Sequence, residues 1–429
     1  MAVNPFGRWF HDRVGNVAII FALCLLPIMF AIGAGVDYGL AAERQQKLNA
    51  AADAAALAAI TPAMMAQPDA ASAQTATAAF NAQATVIDGV NYIPTAVTAT
   101  VADNATVRTI TVTYAASSQN VFLPIFGIST IALGGHSQGS SQIAPNIDFY
   151  LLLDSSPSMA IAATQNGINA MVSNTSKQGG CAFGCHESNP APDNLGNPGG
   201  EDNYALARSL GVTLRIDVLR QAVQNLMNAA PQAAIGNHAT YRAAIYGFDA
   251  GFQMIETLTS NFPLAATSAS SLQMLEVYDN NWLTSTHNNN DTDTNYDLAM
   301  SNMNVLMPNP GLGSNAAGDT PQEVLFFVTD GVEDEMVSGS RQMSVMNNGW
   351  CTTIKNRGIR IAVLYTDYLP LPTNAFYNSH IASFQPNIGS NLQSCASPGL
   401  YQQVSTGGDI SAALSNLFAQ AVHTAHLTQ

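Results

Sequence analysis

The residues whose types and spacing suit chemistry begin at Asp154. Asp154, Ser156 and Ser158 stand at alternate positions, directly after the apolar run Tyr150, Leu151, Leu152, Leu153. One carboxylate and two hydroxyls are all hard oxygen donors. A cation such as Mg²⁺ takes oxygen ligands in near-octahedral geometry at about 2.0–2.1 Å. Far along the chain a second apolar run, Val324, Leu325, Phe326, Phe327, Val328, closes with Thr329, Asp330 and Gly331. Between the two lies a polar loop, Asp291, Thr292, Asp293, Thr294, Asn295. An aspartate and serines after a strand also cap helices or make turns. Three oxygen-rich stretches in this order favour one metal site over three unrelated caps.

The elements that must position these groups follow from periodicity. Residues 147–153 and 323–328 are short apolar runs closed by turn formers, which reads as two buried strands. Open α/β sheets place their ligand sites outside the carboxyl ends of the strands. Residues 215–228 carry Ile216, Leu219, Val223 and Leu226 at helical spacing. Residues 240–248 read as a strand, with 252–258 pairing beside it. Helices are expected over 272–278, 295–306, 343–356 and 409–421, and a strand over 358–365. The acidic run Glu333, Asp334, Glu335 reads as a solvated loop. Alternating strands and helices predict a doubly wound, mainly parallel sheet.

These stretches resemble a von Willebrand factor type A domain. Its aspartate-x-serine-x-serine strand end, loop threonine and strand-end aspartate form a metal-ion-dependent adhesion site. The resemblance implies a metal set of Asp154, Ser156, Ser158, Thr292 and Asp330, with Thr294 an alternative to Thr292. It implies Mg²⁺, or Mn²⁺ or Ca²⁺ in its place. Five protein groups leave a position for a carboxylate from a protein partner. An EF-hand loop starting at Asp291 is excluded, because Tyr296 stands at the sixth position and Asn302 at the twelfth, where glycine and glutamate are needed.

The chain has 429 residues and a formal net charge of -15. That length predicts two or three domains. The acidic balance argues against nucleic acid, which needs clustered basic residues. Cys24 lies in an apolar run, whereas Cys181, Cys185, Cys351 and Cys395 lie in polar regions. In an exported region an even number of cysteines implies disulfides. Three pairings are open; Cys181–Cys185 with Cys351–Cys395 is favoured, the first by proximity. Cys181 and Cys185 have three residues between them, one too many for haem attachment.

Residues 17–36 are uncharged and apolar, long enough at about 1.5 Å per residue for a bilayer core of about 30 Å. The run is too long for a signal peptide, and helix formers continue past it to Pro62. A retained anchor is expected, over residues 1–37 with its tail, followed by a juxtamembrane helix over 38–62. Gly15-Asn16-Val17-Ala18, the apolar run, Val36-Asp37 and Gln46-Lys47-Leu48-Asn49-Ala50-Ala51-Ala52-Asp53 resemble the start of TadE/TadG-like proteins, which act in assembling Flp (tight-adherence) pili. The C-terminal stretches 351–361 and 395–397 resemble TadG-like proteins too. The resemblance implies a non-enzymatic component of a bacterial inner membrane, single-pass, with a cytoplasmic N-terminus and a periplasmic or exported body. Its partners would be pilus-assembly or envelope components.

Residues 63–145 read as a small β-rich region, with strands near 96–100, 108–114 and 130–133 and an apolar turn or short helix over 122–128. Residues 146–429 form the type A-like domain, with a long Gly-, Asn- and Pro-rich insertion at 161–202. Gly135-His136-Ser137-Gln138-Gly139 matches the nucleophile elbow of serine hydrolases, which needs a strand before it and a helix after it. A serine hydrolase is therefore one rival, and a structural envelope protein without a functional metal site is the other.

Overall fold

A computed structural model describes residues 13–65, 67–104, 107–142, 144–191, 193–277, 293–315, 318–338, 340–368, 370–371 and 375–424. The chain divides into two compact units, Met1–Ile143 and Ala144–Gln429.

The first unit is built on one helix, α1 (Arg13–Ala58), 46 residues long. Its two halves do different work. Over the apolar run the side chains face outward, with Val17, Leu23 and Ile32 all more than 60% exposed. From Leu48 onward α1 is amphipathic, and Leu48, Ala52 and Ala55 are buried. That stripe packs with α2 (Asp69–Ala84) against an antiparallel sheet of β1 (Val90–Tyr92), β2 (Thr98–Asn104), β3 (Val107–Gln119) and β4 (Thr130–Gln142). β3 is central, with β4 along one edge and β2 then β1 along the other. The helix α2 was not legible in the sequence, because its Ala- and Thr-rich run has hardly any apolar periodicity. Ser137 sits in the middle of β4, paired opposite Val112, and donates to Asp53 Oδ1 at 2.6 Å. The Gly135–Gly139 stretch is thus continuous strand, with no turn and no following helix, and the elbow geometry is not formed.

The second unit is the doubly wound α/β sheet. Its strands are β5 (Ile147–Asp154), β6 (Tyr241–Phe248), β7 (Phe252–Thr259), β8 (Gln322–Thr329), β11 (Arg360–Thr366) and β12 (Tyr401–Val404). The spatial order is β12-β11-β8-β5-β6-β7, all parallel except the edge strand β7. Every residue of β5 is buried, as a central strand covered on both faces must be. Ile147, Phe149, Leu151 and Leu153 face one layer, with α5 (Arg215–Asn237), α6 (Phe262–Ala269) and α11 (Ile410–Thr424). Tyr150 and Leu152 face the other, with α7 (Tyr296–Leu306), α8 (Gly349–Asn356) and α10 (Ile388–Cys395).

Three expectations are corrected. Residues 272–277 are not helical; the helix lies earlier, as α6, and Tyr278 is outside the described residues. Met343 and Val345 belong to a hairpin, β9 (Val332–Val337) with β10 (Ser340–Val345), and only the later part of 343–356 is helix. Within that hairpin Glu333 and Asp334 are buried rather than solvated. The insertion holds the helix α3 (Gln165–Asn174), capped by Thr164, and α4 (Asn203–Ser209) follows directly after it.

The cysteines also divide. Cys351 and Cys395 are bridged, tying α8 to α10 across 44 residues of sequence. Closing a loop of that size contributes about 4 kcal/mol in the chain-entropy account. Cys181 and Cys185 form no disulfide with each other. Phe183 between them pairs with Ile161 in an antiparallel bridge, Gly184 N donating to Ala160 O and Ala162 N to Ala182 O. In an extended segment residues four apart are separated by about 13 Å, whereas a disulfide needs Cα atoms within about 7 Å.

Candidate metal centre

Strands β5 and β8 are hydrogen-bonded neighbours, and the chain leaves β5 on one side of the sheet and returns to β8 on the other. That is the topological switch point, where open α/β sheets form their crevice. Asp154 ends β5, and the register that pairs Val328 with Leu153 runs on to set it opposite Thr329, with Asp330 one residue further. Gly331 turns the chain away with φ +82°, and a Cβ there would lie 2.3 Å from Ile388 Cγ2. Glycine is required on both counts.

Asp154 is wholly buried and held on both oxygens. Its Oδ1 accepts from Ser156 N at 2.9 Å and Ser156 Oγ at 2.6 Å, and its Oδ2 accepts from Thr329 Oγ1 at 2.6 Å. Because Thr329 gives its proton to Asp154, the 2.6 Å contact with Tyr296 OH must have the phenol as donor. Ser158 Oγ lies 2.9 Å from Ser156 Oγ. The proton of Ser156 is already directed at Asp154, so Ser158 has one proton to share between Ser156 and Asp330.

Asp330 is as deeply buried and far less satisfied. Val332 N reaches its Oδ1 at a long 3.4 Å. Its Oδ2 is buried and has no hydrogen-bond partner among the described residues. Burial, then the neighbouring charge of Asp330, pushes Asp154 up to about 7. Burial likewise raises Asp330, against the Ser158 hydroxyl and the charge of Arg215. Arg215 directs its own donors elsewhere, to Asp367 O at 2.5 Å and Thr406 Oγ1 at 3.1 Å.

Two buried carboxylates, two hydroxyls and an orphaned oxygen suit a hard divalent cation. The ion would offset the repulsion that raises both acids and give Asp330 Oδ2 a partner. No group of three or more His, Cys, Asp or Glu side chains forms a metal cluster among the described residues. This donor set rests on two acids and hydroxyls instead.

Of the five expected ligands, Asp154, Ser156, Ser158 and Asp330 come together. Thr292 lies outside the described residues, as does Asp291. Thr294 is buried and pairs through its backbone with Asp334, N to O at 3.1 Å and back at 2.9 Å. It lines a cleft of about 460 Å³ together with Ser158, Val332 and Asp334. The insertion lines it through Lys177, Cys181 and Phe183, and Asn203 directly after the insertion lines it as well.

Three further groups escaped the sequence reading. Thr329 fixes Asp154, and its place directly before Asp330 was the available signal. Ser155 donates to Phe248 O and Asp249 Oδ2, both at 3.0 Å. Asp249 follows β6 and is buried, so a third parallel strand also ends in an acid. Nothing in its local pattern separated it from a turn residue.

Residues 15–79 match the Tad family model, Flp pilus-assembly TadE/G-like. Among curated proteins no sequence matches the chain. Several solved structures are similar at low identity. The pilus adhesin SpaC from Lactobacillus rhamnosus GG is 11% identical with TM-score 0.35, over 77% of this chain and 34% of that one, so the chain spans about a third of its length. BatB from Bacteroides thetaiotaomicron is 12% identical with TM-score 0.34, over 65% of this chain and 100% of that one. The vWF domain of the type V pili tip protein Mfa5 from Porphyromonas gingivalis is 9% identical with TM-score 0.35, over 66% and 97%. The doubly wound fold rests on the strand order given above. One helix among the described residues, within the region of the family match, is long and apolar enough to cross a membrane.

Proposed function

We propose that the chain is a single-pass, pilus-associated envelope protein that binds a protein partner through a divalent cation. Asp154, Ser156, Ser158 and Asp330 would hold the ion, with a hydroxyl from Thr292 or Thr294. When bound, the cation supplies an electrophilic position for an acidic side chain of the partner. The observation that carries the reading is the buried Asp330 Oδ2, which has no hydrogen-bond partner among the described residues. An unpartnered buried carboxylate oxygen is costly, and a second acid beside it is costlier. The cleft over Ser158 gives a partner access, and Lys177 on its wall suits an acidic side chain. The family match at 15–79 supports a setting in pilus assembly. The anchor would leave the N-terminus in the cytoplasm and the body outside, with the long, cysteine-bearing remainder as the reason.

Crosslinking in cells tests the binding role. A partner recovered with Mg²⁺ present should be lost with EDTA and in Asp154→Ala. Equal recovery in all three would rule the reading out. Protease added to spheroplasts should digest the body and spare the N-terminal tail; a protected body would reverse the topology.

A further inference from the structure

The loop between β3 and β4 is a strongly apolar exposed stretch outside the anchor. Val121 to Ile128 reads Val, Phe, Leu, Pro, Ile, Phe, Gly, Ile, without one polar side chain. Val121 is 60% exposed, Phe122 46%, Ile125 75% and Ile128 44%. A contiguous apolar patch of this kind marks an interaction site.

The first unit places this loop beside the anchor. Phe126 meets Phe30 edge to face, with ring centroids 4.9 Å apart. Phe122 packs so closely on Gly33 that a Cβ there would lie 2.8 Å from its own Cβ. The carboxylate of Asp37 accepts from three loop amides, Val121 N at 2.8 Å, Phe122 N at 3.0 Å and Leu123 N at 2.7 Å. Phe30, Gly33 and Asp37 are spaced three and four apart, hence on one face of α1. From Asp37 down to Phe30 the helix descends about 10 Å, and Phe30 and Gly33 lie within the uncharged run. Wherever the run lies in hydrocarbon, the loop must follow it in.

The loop is built for that surrounding. In lipid a backbone donor without a partner costs several kcal/mol. Asp37 takes three of these donors, and Pro124 has none. Ile125 N, Gly127 N and Ile128 N bond to Phe122 O, Pro124 O and Leu123 O, and Asn120 N closes the loop on Ser129 O. Tyr38, exposed directly after Asp37, is the residue type that gathers at membrane interfaces. An apolar element seated about 5–10 Å into the headgroup and acyl boundary is the usual depth for a surface-inserted segment.

We infer that the tip Val121–Ile128 inserts into the lipid of the leaflet on the Asp37 side, and that Asp37 ties it to the anchor. The first unit is then held to the bilayer at two points rather than swinging on one helix. The inference rests on the anchor reading, and the test separates the two. Full-length protein is reconstituted in vesicles of phosphatidylethanolamine and phosphatidylglycerol, with single nitroxide labels at Cys24, at Ile125→Cys or at Val86→Cys. The other cysteines outside the Cys351–Cys395 bridge are changed to serine. Collision with oxygen, against collision with a water-soluble nickel chelate, reports depth. Cys24 should read deep, Ile125→Cys shallow but inside the lipid, and Val86→Cys aqueous, with nickel access at 125 at least tenfold below that at 86. An aqueous reading at 125 beside a deep Cys24 would overturn the insertion alone. An aqueous Cys24 would overturn the anchor and the insertion together. A label at 125 shielded from both reagents and broadened by a neighbouring spin would put a second copy on the tip, not lipid, and would overturn the proposal.

Discussion

The strand pair β5–β8 carries buried acid at both ends, and the two ends solve the problem differently. At the amino end Asp148 lies opposite Glu323, and Arg242 on β6 lies opposite Asp148. Arg242 Nε donates to Asp148 Oδ1 at 2.7 Å, and Nη2 pairs with Oδ2. At the carboxyl end Asp154 lies near Asp330 with hydroxyls around them, and Asp330 Oδ2 is buried without a hydrogen-bond partner among the described residues. At the amino end a covalently attached cation pairs with Asp148, while both carboxylate oxygens of Glu323 are buried without a hydrogen-bond partner among the described residues. The other end has hydroxyls, which suit an ion that comes from solution. On the proposed reading the first acid pair is scaffold and the second is the site.

Removing the fixed cation should have the largest effect. Arg242→Ala leaves Asp148 buried and uncompensated next to Glu323. The arginine is 41% exposed, so water screens part of the pair, and the loss should be about 2–3 kcal/mol. Denaturant unfolding measures it. Mg²⁺ affinity of the folded variant should stay near wild type; a large drop there would mean that the two ends are not independent.

Asp330→Asn should do the reverse. It removes a charge that raises Asp154, so the metal-free protein should become more stable at pH 8 while losing metal affinity. A variant less stable without metal would make Asp330 a structural residue like Asp148.

A pH series sharpens the contrast further. Asp154 is pushed up to about 7, chiefly by burial, and Glu323 to about 8 by burial and Asp148. Glu333 also reaches about 8, through burial and Glu335. Raised acids favour the folded state when protonated, so their contribution is present at about pH 4 and lost as pH rises through 7 and 8. Metal-free Tm should decline from pH 5 to 8 and level off above. Saturating Mg²⁺ should remove the Asp154 part of that slope and leave the Glu323 and Glu333 parts. Glu323→Gln should remove the Glu323 part and leave that of Glu333, the smallest change of the set. A slope identical with and without Mg²⁺ would count against the metal.

The sheet was legible because buried parallel strands are continuous apolar runs, and the acids at their ends stand out against them. Asp154, Ser156, Ser158 and Asp330 were singled out for that reason. The Cys181–Cys185 bridge misled because proximity in sequence says nothing of backbone conformation, and the bridge to Ile161 is a tertiary contact. The burial of Glu333 and Asp334 was hidden for a similar reason. Their charges read as solvent-facing, yet both are buried in the β9–β10 hairpin, and Arg341 from β10 pairs with Asp334. Helix α2 was missed because Ser72, Ala76, Phe80 and Ala84 are its buried side, only one of them large.

Titration of Mg²⁺ and Mn²⁺ into the full-length protein in detergent tests the central claim most directly. Calorimetry should show one ion per chain. Affinity should fall at least tenfold, about 1.4 kcal/mol, in Asp154→Ala and in Asp330→Ala, and the double variant should lose little more, since the two act as one unit. Isotherms for both single variants that match wild type would make these aspartates turn caps, and the metal centre would have to be given up.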